Sequence, residues 1–213
     1  MAVASYSDNV FINCPFDDKF KGKFRACVFT ILDAGFIPRC SLEVNNAGIF
    51  RLQAIVDMIG ECKYGVHDIS RVQLDARSRL PRFNMPFELG IFHGAKHLAL
   101  GRHKTKQCLI LERDKYRYQT FLSDLAGIDV TPHSDNQKTI IISVRDWLVT
   151  ASRRRTIPAG LEIVSRFQKF ERDFKIVCKK RQRSYSSMPF VELVSNMSDW
   201  LRLNQISRQP LFP

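Results

Sequence analysis

The sequence predicts an α/β fold in which a parallel sheet is covered on both faces by helices. Short apolar runs of four to seven residues alternate along it with longer segments whose apolar residues recur at three- and four-residue spacing. Parallel strands need such crossover helices. The composition agrees: 213 residues with 45% hydrophobic, 25% charged and 11% aromatic side chains describe a chain able to bury a core. Disorder, collagen and a disulfide miniprotein are excluded by the same figures.

Val10-Phe11-Ile12-Asn13-Cys14 is an apolar run stopped by Pro15, as a buried strand would be. Asp17 and Asp18 offer a cap and first-turn negative charge to a helix carrying Phe20, Phe24, Cys27, Val28, Ile31 and Leu32, which Gly35 ends. Phe36 to Leu42 is the next extended piece. A loop through Asn45, Asn46 and Gly48 leads to a helix with Phe50, Leu52, Ile55, Val56 and Ile59 on one face, closed by Gly60. Lys63 to Ser70 is a third strand, and the charged stretch from Arg71 to Arg82 is a loop. Asn84 caps another helix, with Pro86 in its first turn, running to about His97. Gln107 to Leu111 follows as a strand and Ile140 to Val149 as a helix with Trp147 and Leu148 inward.

Arg153-Arg154-Arg155 and then Ile157-Pro158-Ala159-Gly160 have linker chemistry, dividing a domain at 1–152 from a C-terminal helical appendage at 153–213. In the appendage Leu161, Val164, Phe167, Phe170, Phe174 and Val177 recur at helical spacing, a stripe that reads as core or partner surface. Pro189 opens a last helix, Phe190 to Leu203. The net charge of +12 is concentrated here: 151–213 holds 13 basic and 5 acidic residues, net +8, against 20 and 16, net +4, in 1–150. Such an excess suits anionic partners or is simply a solvated face.

The six cysteines are scattered within apolar runs, with no Cys/His cluster at metal-ligand spacing. They read as buried hydrophobes of a reducing compartment. Met1 to Asn9 lacks the basic and apolar regions of a signal peptide, and no apolar run approaches the roughly 20 residues of a membrane span. The expectation is a cytoplasmic protein without a membrane segment or bound metal.

In parallel sheets ligands bind beyond the carboxyl ends of the strands. Those ends supply Asn13, Cys14, Pro15, Phe16 and Asp17; then Arg39, Ser41 and Glu43; then His67, Asp68 and Ser70; and the following helix opens with Asn84, Phe87 and Glu88. Glu88 is the sharpest candidate. Apolar neighbours would raise its pKa and the helix terminus would lower it, while Gly90 and Gly94 would let the backbone pack closely. A carboxylate so held suits an oxocarbenium-like centre, although a first-turn glutamate also serves the helix dipole alone. Asp68 would hold ribose hydroxyls or cap the next turn; Asn13 would bind a hydroxyl or form an Asx turn; His67 would be a general acid or a core residue. Neither GxGxxG, GxxxxGKS nor GxSxG occurs, which argues against dinucleotide oxidoreductases, P-loop hydrolases and serine hydrolases.

Val10 to Asp17, Tyr64 to Ser70 and Asn84-Met85-Pro86-Phe87-Glu88-Leu89-Gly90 together resemble a bacterial group related to TIR-like and nucleoside 2-deoxyribosyltransferase-like domains, over roughly residues 8–150. The resemblance implies a flavodoxin-like sheet that binds NAD or a nucleoside, with Glu88 as the glutamate of N-glycosidic cleavage, Asp68 at the ribose and Asn13 at the pocket floor. It implies further an NAD glycohydrolase that uses NAD as substrate and needs no cofactor, a homo-oligomer, and a role in antiphage defence. The competing reading is a non-catalytic nucleotide sensor that signals to a protein partner through the basic tail. Nucleic-acid binding through Arg153–Arg155 and Lys179–Arg183 is a third, less favoured one.

Overall fold

The computed structural model describes residues 5–46, 48–72, 74 and 79–204. Parts of three sequence expectations lie outside the described residues: the first four residues of the N-terminus, 73 and 75–78 of the 71–82 loop, and 205–213 of the C-terminal segment.

Among the described residues five strands form one parallel sheet: β1 (Asn9–Asn13), β2 (Ile37–Arg39), β3 (Tyr64–Asp68), β4 (Gln107–Glu112) and β5 (Val130–Pro132), in the order β2-β1-β3-β4-β5. This is the flavodoxin-like arrangement, and its connections reverse direction between β1 and β3. Among the described residues six α-helices accompany it: α1 (Lys21–Asp33), α2 (Arg51–Glu61), α3 (Asn84–Leu98), α4 (Gln137–Ser152), α5 (Gly160–Lys180) and α6 (Phe190–Leu203). Strand side chains alternate between the faces. Val10, Ile12, Tyr64, Val66, Leu109 and Leu111 pack with α1 and α4, whereas Phe11 packs with Ile55, Met58 and Ile59 of α2 and Phe92 of α3.

α5 and α6 form a further layer on the outer side of α1 and α4. Phe29 of α1 meets Phe167, Phe170 and Trp200, and Phe24 meets Phe190, in ring contacts at 5.5–5.9 Å. The aromatic stripe of the C-terminal segment is therefore core. Arg166 of α5, itself buried, reaches the fully buried Asp33 of α1 at 3.2 Å. The connecting segment is pinned as well: Arg154 lies 3.9 Å over the Phe36 ring, donates to Gly35 O and pairs with Asp8, while Arg145 donates to Pro158 O at 2.7 Å.

Several element boundaries differ from the sequence reading, each for a local reason. The extended piece after α1 yields only three strand residues before a 3-10 turn at Ser41–Glu43. The Glu43 carboxylate accepts from the Cys40 N–H and folds the chain back. Gly60 does not close α2. It lies inside the helix, whose last carbonyls are met by a side chain instead: the ammonium of the fully buried Lys106 donates to Ile59 O and Cys62 O. Phe50 precedes α2 and is 75% exposed, and Val56 is exposed too, because Ile55, Met58 and Ile59 make the inward face. Asn84 is the first residue of α3 and not its cap; Phe83 holds that place without a side-chain bond. On α5 Leu161 and Val177 face outward, and the inward row runs through Ile163, Val164, Phe167, Phe170, Phe174 and Cys178. A Cβ on Gly90 or Gly94 would meet nothing within 4 Å, so close packing does not account for these glycines. β5 is an element the sequence reading did not assign. It is a three-residue edge strand ending in proline, too short to show an alternation.

Candidate active site

A cleft of about 640 Å³ opens at the carboxyl rim of the sheet, within the roughly 300–1,000 Å³ typical of small-molecule sites. Three chain segments build it. The turn after β1 supplies Asn13, Cys14, Pro15, Phe16 and Asp17; the 3-10 turn after β2 and the start of α2 supply Ser41, Phe50, Arg51, Leu52 and Ile55; Arg82 and the opening of α3 supply Asn84, Met85, Phe87 and Glu88. The cleft thus lies where the strand order reverses, the position expected of ligands on open parallel sheets.

Local bonds fix these segments. The Asn13 side chain, 2% exposed at the end of β1, donates its amide nitrogen to Met85 O at 2.8 Å and to His67 Nδ1 at 3.1 Å. It ties the first turn of α3 to the sheet and so sets where Glu88 stands. Asp17 turns the chain into α1, its Oδ1 accepting from the Lys19 and Phe20 N–H groups, and its other oxygen pairs with Arg71 at 3.1 Å. Arg51 donates to Ser41 Oγ at 3.1 Å, joining α2 to the 3-10 turn.

Glu88 lines the cleft, half-buried. Burial raises its carboxyl pKa from 4.5 to about 7, against the smaller opposing pull of the Arg51 guanidinium. Phe16, Phe50 and Phe87 give the cleft aromatic surface, Arg51 and Arg82 bring positive charge, and Ser41, Asn84 and Asn13 add hydrogen-bonding groups. Cys14 is buried at the floor, where desolvation first and then nearby ionisable groups keep its thiol protonated.

Other predicted site residues lie elsewhere. Arg39 and Glu43 bind each other at 2.8 Å, and Arg39 also reaches Glu61 at 3.1 Å; neither lines the cleft. Asp68 is 1% exposed and does not line it either. Its Oδ1 accepts from the Ser70 N–H and hydroxyl, and its Oδ2 stands 3.0 Å from His133 Nε2. On its other side the His133 ring accepts at Nδ1 from the Asp135 N–H at 3.1 Å. Ser70 is buried with this pair. His67 is fully buried between Phe11 and Phe92, and desolvation, aided by His93 and Lys106, lowers its pKa to about 3. Its neutral ring accepts from Asn13, which removes it as a general acid.

The sequence reading missed Arg51, Phe50 as a wall, and His133. The signal for Arg51 was available: it opens the helix after β2, a position that looks onto the same rim. His133 had none, since the strand that delivers it was itself unrecognised. Among the described residues no group of three His, Cys, Asp or Glu side chains could hold a metal ion, and no helix is long and apolar enough to cross a membrane. No family model, curated protein or solved structure matches the chain.

Proposed function

We propose that this chain is a TIR-like N-glycosidase that cleaves the nicotinamide–ribose bond of NAD, or the corresponding bond of a related nucleotide, with Glu88 as the catalytic carboxylate. The observation that carries this reading is the Glu88 carboxyl, held in an aromatic-walled cleft at the sheet's carboxyl rim with its pKa near 7. A desolvated carboxylate opposes positive charge far more strongly than one in water.

The chemistry asks little else of the protein. The C1′–N bond breaks with its electron pair leaving on nicotinamide, which departs neutral because its ring nitrogen was cationic. The Glu88 carboxylate then faces the ribosyl cation, water adds at C1′, and a proton is released. No general acid is required, consistent with the neutral His67 behind the cleft. A cationic substrate would itself draw the Glu88 pKa down and keep the carboxylate charged. Phe50 and Phe87 offer stacking faces for a base, and Arg51 and Arg82 suit phosphate oxygens. Ser41 and Asn84, and not Asp68, are the groups within reach of ribose hydroxyls.

Incubation of concentrated protein with NAD, NADP and nucleoside monophosphates, read by mass spectrometry, tests the proposal. The expected result is release of the free base by the wild type and a loss of about 10²–10³-fold in Glu88→Gln, the scale of removing one electrostatic stabiliser. Turnover that persists in the variant overturns the assignment. Ligand binding without any turnover by the wild type replaces it with the sensor reading.

A further inference from the structure

The outer face of α5 carries a row of exposed cations, of which Lys169 donates to Asn204 Oδ1 at 3.0 Å and lies over the Trp200 ring. Lys169, Arg172, Lys175 and Lys179 are exposed at spacings of three, three and four residues, which lines them along one side of the helix over about 15 Å. Lys180 and Arg181, at the end of the helix and around it from Lys179, are exposed too.

Four of the five acidic residues on α5 and α6 have polar partners; the fifth, Glu162, lies in the first turn of α5. Glu171 Oε1 accepts from Arg25 at 3.0 Å and from the Tyr185 hydroxyl, and Asp173 accepts from the Trp200 indole at 3.0 Å. Glu192 pairs with Arg183 and Asp199 with Arg202. Lys175 stands 3.6 Å from the second Glu171 oxygen with its side chain 63% exposed. Arg172, Lys179, Lys180 and Arg181 have no acidic partner among the described residues. At the other end, Gln168, one turn before Arg172, lines a cavity of about 510 Å³ with Lys19, Lys23 and Lys138, of which Lys23 alone has a carboxylate partner among the described residues, Asp135. The triple arginine is a different case: Arg154 is engaged with Asp8 and Phe36, and Arg153 ends α4 in a left-handed conformation.

We infer that the outer face of α5 is a binding surface for the phosphate backbone of double-helical nucleic acid, without sequence preference. Charge complementarity supplies the attraction. None of the exposed large hydrophobic side chains on α5 or α6 is aromatic: they are Leu161, Ile176, Val177, Val191 and Leu203. Stacking on unpaired bases has no platform there, and neither has the aromatic anchoring that favours a membrane interface. None of the cations on α5 lines the Glu88 cleft, so this inference stands apart from the proposed chemistry.

Fluorescence anisotropy of a labelled 30-base-pair duplex of arbitrary sequence, titrated with the full chain from about 50 to 200 mM salt, is the test. The expected affinity falls linearly in log–log form with salt, and a second duplex of unrelated sequence binds equally. Arg172→Glu/Lys175→Glu/Lys179→Glu should weaken binding at least about ten-fold and flatten the salt slope by about two to three, with circular dichroism unchanged. Should that variant misfold, the corresponding triple glutamine variant must show the same loss in lesser degree. No binding at 50 mM salt, or equal binding by the folded variants, overturns the inference. So does retention on anionic phospholipid vesicles without duplex binding, which would make the partner a membrane surface.

Discussion

Between pH 4.5 and about 7 the folded protein holds a proton on Glu88 that the unfolded chain has released. Its contribution to stability is therefore complete below pH 4.5 and is lost as the pH climbs through 7, because charging the carboxyl in the cleft is disfavoured. Glu88→Gln removes that titration. Thermal melts should show the variant and wild type close together at pH 5, and the variant more stable at pH 8 by at most about 3 kcal/mol, the ceiling set by a shift of this size. An equal difference at both pH values would mean that the carboxyl is solvated in the cleft. The same titration makes turnover, if Glu88 acts as its anion, rise with pH toward 7 in the proposed reaction. Stability and activity thus change in opposite directions across one pKa, as when strain is kept at a functional site.

At the scale of elements, β3 and α1 show how packing on both sides fixes an otherwise ordinary segment. A Cβ on Gly65 of β3 would stand 2.6 Å from His67 Nε2 and 2.9 Å from Phe92, which is itself fully buried. Gly65→Ala should therefore cost about 1–3 kcal/mol, the range of overpacked cores, measured as a lower urea midpoint with unchanged slope. No loss would mean that Phe92 has room to turn aside. α1 is buried almost all round, from Ala26 through Ile31, since the sheet covers one side and α5 with α6 the other. That continuous apolar run is visible in the sequence, and it is the signal that a further layer covers the helix. The periodic helices are legible in the sequence because an amphipathic stripe needs only local spacing; α6 spans Phe190–Leu203, the bounds its pattern predicts. Boundaries moved where a distant side chain intervened, as Lys106 does at the end of α2.

At the scale of the whole molecule, the C-terminal segment and the sheet share one hydrophobic core, with Phe24, Phe29, Phe167, Phe170 and Phe190 in it together. A chain cut after Ser152 would expose the outer side of α1, so it should lose cooperative thermal unfolding and bind a hydrophobic dye such as ANS. A sharp melt from the truncated protein would instead make the two parts independent. The sequence by itself determined the α/β class, the helices that carry strong periodicity, and the segments that reach the carboxyl rim of the sheet, including the one that bears Glu88. Those features depend on side-chain spacing and on which strand end a residue follows, both of which are local. Only the tertiary structure decided which rim residues share a cleft. Asp68, His67, Arg39, Glu43 and Ser70 have the polar identities of site residues, yet partners far along the chain or across a turn occupy them. Arg51 and Phe50 join Glu88 because two crossovers bring α2 and α3 to the same rim. A residue's chemistry is written in its side chain, but its availability depends on what the fold leaves beside it.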